Sequence, residues 1–96
     1  MTSPSDESPR DPYWRERDDD GHQLVIVDDM YIWIWCGTTD LRVGAHVVLP
    51  GNPWTKGQNY RGEVTSLGSD YLGPVRQIVE HADPTQFPTW DQLMLW

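Results

Sequence analysis

The sequence predicts an all-β domain, a small barrel of about five strands with a short C-terminal helical turn. Three observations predict it. Five short segments are rich in β-branched and aromatic residues, and they follow one another at intervals of about 8 to 15 residues. Clusters of glycine, proline and asparagine separate the segments. No long stretch repeats its apolar residues with the 3.6-residue period of a helix.

The first three predicted strands occupy the middle of the chain. QLVIV (23–27) is a short apolar run that two aspartates follow. MYIWIWCG (30–37) carries apolar side chains at both odd and even positions, so we expect it to be covered on both faces. AHVVLP (45–50) is the third strand, and its final proline ends it because proline supplies no N–H donor to the ladder.

The rest of the chain supplies a long loop, two more predicted strands and one turn of helix. Residues 51–59 are rich in turn formers. YRGEVTSL (60–67) alternates like a strand, and Gly62 is predicted to mark a bulge or bend within it. VRQIVEH (75–81) is predicted to be the fifth strand. Thr89 is a candidate N-cap for the short helical turn that follows.

Residues 1–22 differ in composition from the rest and are predicted to form a disordered acidic tail. They contain seven acidic residues and three prolines but few large apolar side chains, so they cannot bury enough surface to offset the entropy of ordering. The predicted barrel domain therefore spans residues 23–96. The formal net charge of the chain is −8. Neither part has the basic stripe with which an autonomous nucleic-acid binder displaces counterions.

Catalytic and metal-binding motifs are absent from the sequence. His22, Cys36, His46 and His81 lack the paired spacing of a zinc site, and a thiol on a buried strand is normally inert. No phosphate-binding loop occurs. We therefore expect a non-enzymatic protein without metal or cofactor. A single cysteine, no apolar span and an acidic N-terminus indicate a cytoplasmic protein with no membrane partner.

Two sets of residues leave alternatives open. Trp33, Trp35 and Trp54 either fill the core and cover the ends of a small barrel, or form an aromatic surface that stacks bases or encloses a cation. The aspartates at 18–20 and 28–29 either keep the chain soluble, or bind a divalent cation or imitate a phosphate backbone. The core and solubility interpretations are the more common for such residues.

The order of the segments resembles the N-terminal DNA-binding domain of PriA, the primosomal helicase that restarts bacterial DNA replication. The similar pieces, from about His22 to Trp96, are HQLVIV, MYIWI, RVGAHVVLPG, YRGEVTSLG, VRQIVEHADP and WDQLMLW. Each piece alone is a weak signal, so their order and spacing carry the resemblance. It implies an SH3-like or OB-like barrel. The helicase body has no counterpart here, which implies a free-standing version of the module, of the kind that a phage or mobile element encodes.

The PriA family holds the 3′ end of a DNA strand in a shallow pocket, and the resemblance carries that pocket to Met30, Tyr31, Gly51 and Arg76. It implies that Gly51 lets the backbone approach the ligand closely and that Arg76 pairs with a phosphate. Trp54, in the adjacent loop, is a further candidate DNA contact.

The chain departs from the family just before Tyr31. The family has an aromatic-acidic pair there, whereas this chain has Asp29 and Met30, so the acid has moved by one position and the stacking ring is missing. One position along a strand turns a side chain to the opposite face. We therefore expect Asp29 not to reach the terminal hydroxyl that its counterpart binds.

Two functions are expected. The first is a non-enzymatic DNA-replication accessory module that recognises a DNA strand end or a fork. The alternative is an acidic interaction module of a phage or mobile element that binds and modulates a basic host protein. In that case exposed aromatic side chains are the anchors, and carboxylates steer the association.

Overall fold

Four strands form one antiparallel sheet in the computed structural model, which describes residues 14–71, 73–79 and 82–94. The strands are β1 (Gln23–Val27), β2 (Tyr31–Trp35), β3 (His46–Leu49) and β4 (Tyr60–Leu67), and their order in the sheet is β2-β1-β4-β3. Two 3₁₀ turns lie at Pro53–Thr55 and Pro84–Gln86, and a short helix, α1, spans Trp90–Leu93. Within the described residues, no helix is long and apolar enough to cross a bilayer.

These strands lie where alternation and β-branched residues predict them, and the helical turn begins as its N-cap predicts. The Thr89 hydroxyl accepts a hydrogen bond from the Gln92 N–H, and the Gln92 side chain accepts one from the Thr89 N–H. This reciprocal pair satisfies two amide donors that a helix N-terminus leaves without partners. The expectation of a mostly β, barrel-like fold with little helix is therefore confirmed.

The core lies inside the curl of the sheet. Alternate residues of β1 point inward, and Val25 and Val27 are buried there against Trp33 of β2. The other buried members of the cluster come from β3, β4 and the segment that follows them: Val47, Leu49, Tyr60, Val64 and Ile78.

The bulge in β4 lies at Thr65 and not at Gly62. Val27 pairs with Val64 and Ile26 pairs with Ser66, so Thr65 is the extra residue of β4. Gly62 is buried instead, and a side chain at that position would collide with Val27. The glycine is thus explained by close packing, and the prediction of a bulge at Gly62 was wrong.

The tight turn between β1 and β2 is bonded to β4. Asp28 and Asp29 have φ angles of 54° and 55°, a left-handed conformation that aspartate tolerates better than most residues. The Asp28 N–H donates to the Glu63 carbonyl at 2.9 Å, and the Asp28 carboxylate accepts from the Glu63 N–H at 3.1 Å. The Asp29 N–H donates to the Thr65 hydroxyl at 2.9 Å. The bulge and the turn therefore fix each other.

The predicted fifth strand is a short segment that bonds to both outer strands. The Ile34 N–H of β2 donates to the Arg76 carbonyl, and the Ile78 N–H donates to the Ile34 carbonyl, both at 2.9 Å. One residue later the Val79 N–H donates to the Val48 carbonyl of β3 at 3.1 Å. Residues 76–79, here called the closing segment, therefore join the two edges of the sheet through single bridges. The segment changes partner too soon to form a regular strand, and the last two residues of the prediction lie outside the described residues.

Part of the predicted tail is bonded to the sheet. The Arg15 N–H donates to the Ser69 carbonyl and the Ser69 N–H donates to the Arg15 carbonyl, both at 2.8 Å. The Leu24 N–H donates to the Glu16 carbonyl at 3.0 Å, and the Trp14 ring lies against Gly68. The boundary that composition places after residue 22 thus falls inside a segment of the fold, whereas residues 1–13 lie outside the described residues.

Truncation of Ile78 tests the importance of the closing segment. Ile78 is buried in the core, so Ile78→Ala is expected to lower the free energy of unfolding by about 2 to 4 kcal/mol through lost burial and a cavity. Gln77→Ala is the matched control because the Gln77 side chain is exposed and the bonds of this segment come from the main chain. Urea unfolding of the two variants measures the difference. Equal stabilities would contradict the closing role.

Candidate ligand-binding groove

A groove with a volume of about 910 Å³ opens beside β2, between the loop that follows β3 and the segment that leads into residues 76–79. Its walls carry six aromatic side chains, which are Tyr31, Trp33, Trp54, Tyr60, Tyr71 and Trp90. We call it the aromatic groove. Its size is in the range of pockets that hold small ligands or short stretches of a polymer.

The rings divide into a buried floor and an exposed rim. Trp33 and Tyr60 are buried, whereas Tyr31 and Trp54 have exposed fractions of 68% and 73%. Burial, reinforced by the charge of Asp28, raises the pKa of Tyr60 above its ordinary value of 10.0, so this hydroxyl stays protonated at neutral pH. The rim therefore offers flat apolar faces to solvent while the floor holds the sheet together.

A rigid turn presents Trp54. The Asn52 side chain accepts a hydrogen bond from the Thr55 N–H at 3.0 Å, and the Thr55 hydroxyl accepts one from the Asn52 N–H at 2.8 Å. Pro53 restricts the backbone at the first position of the turn. These bonds fix the backbone that carries the exposed indole, so binding a ligand there costs little additional backbone entropy.

Arg76 is the only charged residue among the described residues that line the aromatic groove. Its guanidinium lies over the Trp33 ring, 5.8 Å from the ring centroid, in a cation–π arrangement. Its Nη2 also donates to the Gly51 carbonyl at 3.3 Å. These two contacts orient a guanidinium whose side chain is exposed, so it remains accessible to an anionic group of a ligand.

Gly51 is not among the residues that line the groove, and its contacts give it a structural role. Its N–H donates to the Asn59 side chain at 2.9 Å, and it is half-buried. A side chain at this position would collide with the main chain of Gly57. The absence of a side chain therefore lets two parts of the same loop approach each other, which is a different reason for glycine from the close approach of a ligand that the resemblance implies.

Met30 and Asp29 occupy different surroundings. Met30 lines the aromatic groove and also a second, acidic cleft of about 640 Å³, whereas Asp29 lines the acidic cleft alone. The acidic cleft also carries three further carboxylates and two basic side chains, which are Asp28, Glu63, Asp91, His46 and Arg61. Asp29 does not line the aromatic groove, but it lies in the left-handed turn before β2 and not on a strand, so alternation along a strand does not account for its position.

The three tryptophans that the sequence left open, as core residues or as an exposed aromatic surface, occupy different environments. Trp33 is a core residue, and Trp35 is half-buried with its indole N–H donating to the Thr39 carbonyl at 2.7 Å. Trp54 is exposed on the rim. Sequence reasoning missed Tyr71 and Trp90, which also line the groove. Tyr71 lies within a run of turn residues, and a large aromatic side chain in such a loop was the sequence feature that pointed to an exposed binding surface.

Asp18, Asp20 and His22 come together at the start of the fold, with ligand atoms within 4.8 Å of one another. Hydrogen bonds within the loop account for this arrangement, because the Asp18 carboxylate accepts from the N–H groups of Asp20 and His22 at 2.9 and 2.8 Å. Burial raises the pKa of Asp18, but these amide bonds and the charge of His22 outweigh it, and the pKa falls below 3.8.

Neither a family model, nor a curated protein, nor a solved structure matches this chain. The resemblance to the PriA domain therefore stays a prediction that rests on the residues themselves.

Substitution of Gly51 separates its two roles. Because a methyl group there would press on the main chain of Gly57, Gly51→Ala is expected to lower the free energy of unfolding by about 1 to 3 kcal/mol. Gln58→Ala, an exposed change in the same loop, is the control and is expected to stay within about 0.5 kcal/mol of the unaltered protein. Thermal and urea unfolding measure both. A Gly51→Ala protein of unchanged stability would leave the ligand-approach explanation in place of the packing one.

Neutralisation of Asp18 is expected to cost stability in a pH-dependent way. A carboxylate whose pKa is lowered by folding stabilises the native state above the unfolded pKa, and this contribution disappears as the pH falls through the lowered value. Asp18→Asn should therefore lower the free energy of unfolding by about 1 kcal/mol at neutral pH, with the deficit shrinking below pH 3.8. The exposed neighbour Asp19 supplies the control variant Asp19→Asn. The same deficit at pH 7 and at pH 3 would show that the carboxylate charge does not cause it.

Proposed function

We propose that this protein is a non-enzymatic module that recognises the end of a DNA strand, at a free end or at a fork. One observation carries the proposal. Met30, Tyr31, Trp54 and Arg76 line a single groove, although they lie in three separate parts of the chain. Arg76 is also hydrogen-bonded to the fifth candidate, Gly51. The PriA resemblance supplied Met30, Tyr31, Gly51 and Arg76, and the adjacent loop supplied Trp54, in each case without reference to their arrangement in space. The resemblance also supports an SH3-like or OB-like type for the barrel.

The chemistry of the groove suits terminal nucleotides. The exposed faces of Tyr31 and Trp54 are platforms on which unpaired bases stack, and base–aromatic stacking contributes about 1 to 3 kcal/mol per base. The Arg76 guanidinium can pair with one phosphate through charge-assisted hydrogen bonds. No carboxylate is among the described residues that line the groove, so an anion bound there meets no negatively charged side chain in the lining itself.

The overall charge limits how much DNA can bind. The chain has a formal net charge of −8, which repels a long polyanion. A single guanidinium displaces about one counterion, so the logarithm of the binding constant is expected to fall with the logarithm of salt concentration with a slope of only about −0.7. This combination favours one or two nucleotides at an end over a duplex.

The acidic cleft supports a second candidate, which is the binding of a basic protein in a reducing cytoplasm, such as a host protein targeted by a phage or mobile element. Asp29, Glu63 and Asp91 are exposed there beside Met30 and the Trp90 ring. Such carboxylates steer association with a basic surface, and the apolar side chains next to them supply anchors. This cleft lies outside the aromatic groove, except for the two residues that line both.

Fluorescence anisotropy with short single-stranded DNAs tests the first candidate. The unaltered protein is expected to bind a free 3′ hydroxyl end more tightly than a blocked one, and Arg76→Ala is expected to weaken binding by about tenfold or more because a charge-assisted contact is lost. Arg42→Ala removes an exposed arginine that lines neither the groove nor the acidic cleft. It changes the net charge equally and should leave the affinity nearly unaltered.

Two outcomes would reject the DNA function, namely a dissociation constant weaker than about 100 μM at low salt, the upper end of non-specific binding, or equal binding of free and blocked ends. A lysine-rich peptide in the same assay tests the second candidate. Its binding should weaken in Glu63→Gln/Asp91→Asn and at high salt, and it should be insensitive to Arg76→Ala.

A further inference from the structure

Arg15, next to the first described residue, is bonded to the wall of the aromatic groove. Arg15 is paired with Ser69 in both directions, and the Arg15 Nη2 donates to the Tyr71 carbonyl at 3.3 Å. Ser69 and Tyr71 both line the groove. Because the pairing is antiparallel, the step from Arg15 back to Trp14 has the same direction as the path from Ser69 to Tyr71. Residues 1–13 lie outside the described residues, and Trp14 and Arg15 tether them beside the groove wall.

Those residues contain a sequence that suits such a groove. Pro9-Arg10-Asp11-Pro12 has two prolines three positions apart, which places both on one face of a polyproline II helix with three residues per turn. Segments of this kind bind to grooves lined by aromatic rings, because the extended conformation is already formed before binding. Tyr31, Trp54 and Tyr71 are exposed rings on the walls of the groove.

The charge of residues 9–12 and their distance along the chain from Trp14 both suit docking in the groove. Asp11 lies between the two prolines, and Arg76 is the only charged residue among the described groove residues. The carboxylate of Asp11 and the guanidinium of Arg76 therefore have opposite charges and can form an ion pair. Pro12 and Pro9 precede Trp14 by two and five residues, which correspond to at most about 7 and 17 Å of extended chain. A tether this short gives the segment an effective concentration of about millimolar at the groove.

We propose that residues 9–12 of this chain dock in the aromatic groove as a polyproline II segment, with Pro9 and Pro12 against the exposed rings and Asp11 against Arg76. The segment is then an internal competitor for whatever ligand the groove binds. Docking itself does not depend on the proposed DNA function; only the identity of the displaced ligand does.

Nuclear magnetic resonance of the full chain tests the docking. Pro9→Ala/Pro12→Ala removes both rings of the motif, and Pro4→Ala is the matched control because Pro4 lies outside it. The double variant is expected to shift the Trp54 indole and Tyr71 resonances relative to the unaltered protein, whereas Pro4→Ala leaves them in place. A synthetic peptide of residues 7–14 added to the double variant should return these resonances toward their original positions. Unchanged Trp54 and Tyr71 resonances in the double variant would overturn the proposal, even if the added peptide binds.

Anisotropy with the same DNAs separates this proposal from the function of the groove. If both hold, the double variant binds strand ends about tenfold more tightly than the unaltered protein, because the competitor is gone. Resonance shifts without any DNA binding uphold the docking and reject the DNA function. DNA binding without resonance shifts upholds the DNA function and rejects the docking.

Discussion

The fold depends on a few hydrogen bonds that close a small sheet. Four strands have two free edges, and residues 76–79 bond to β2 through Ile34 and to β3 through Val48. Closure encloses the apolar cluster around Val64 and Ile78, and it leaves fewer unpaired N–H and C=O groups at the sheet edges, where other chains could add as strands. Without the closing segment, four strands would cover the same side chains from one side only.

The same closure assembles the aromatic groove. Its walls come from β2, from the turn that carries Trp54 and from the segment that starts at Ser69. These parts are distant in sequence, and they meet because the closing segment returns the chain to β2. The groove is therefore a consequence of how the sheet is completed, and its rigid floor is shared with the hydrophobic core through Trp33 and Tyr60.

The sequence shows where strands lie better than it shows which strands pair with each other. Short apolar runs located β1 to β3 and alternation located β4, because both patterns are local properties of the sequence. The segment from residue 75 has the composition of a strand, but its bonds are divided between two distant strands, and no local pattern encodes that. Gly62 shows a related difficulty, since a glycine inside a strand signals either a bulge or a close contact, and only the position of Val27 decides which.

The family resemblance pointed to Met30, Tyr31 and Arg76, which line the aromatic groove together, and their role in binding stays a prediction. Tyr71 and Trp90 were missed because their positions depend on tertiary packing. The tail boundary was misplaced for a similar reason. Residues 14–22 are polar enough to suggest disorder, yet main-chain bonds such as those of Arg15 need no apolar side chain.

Arg76 contributes to the protein in two independent ways. Its carbonyl oxygen accepts the Ile34 amide that completes the sheet, while its guanidinium reaches the groove. Any residue supplies that carbonyl, whereas the guanidinium alone bonds to the Gly51 carbonyl and lies over the Trp33 ring. A substitution at this position therefore alters the wall of the groove and leaves the main-chain bond that closes the sheet in place.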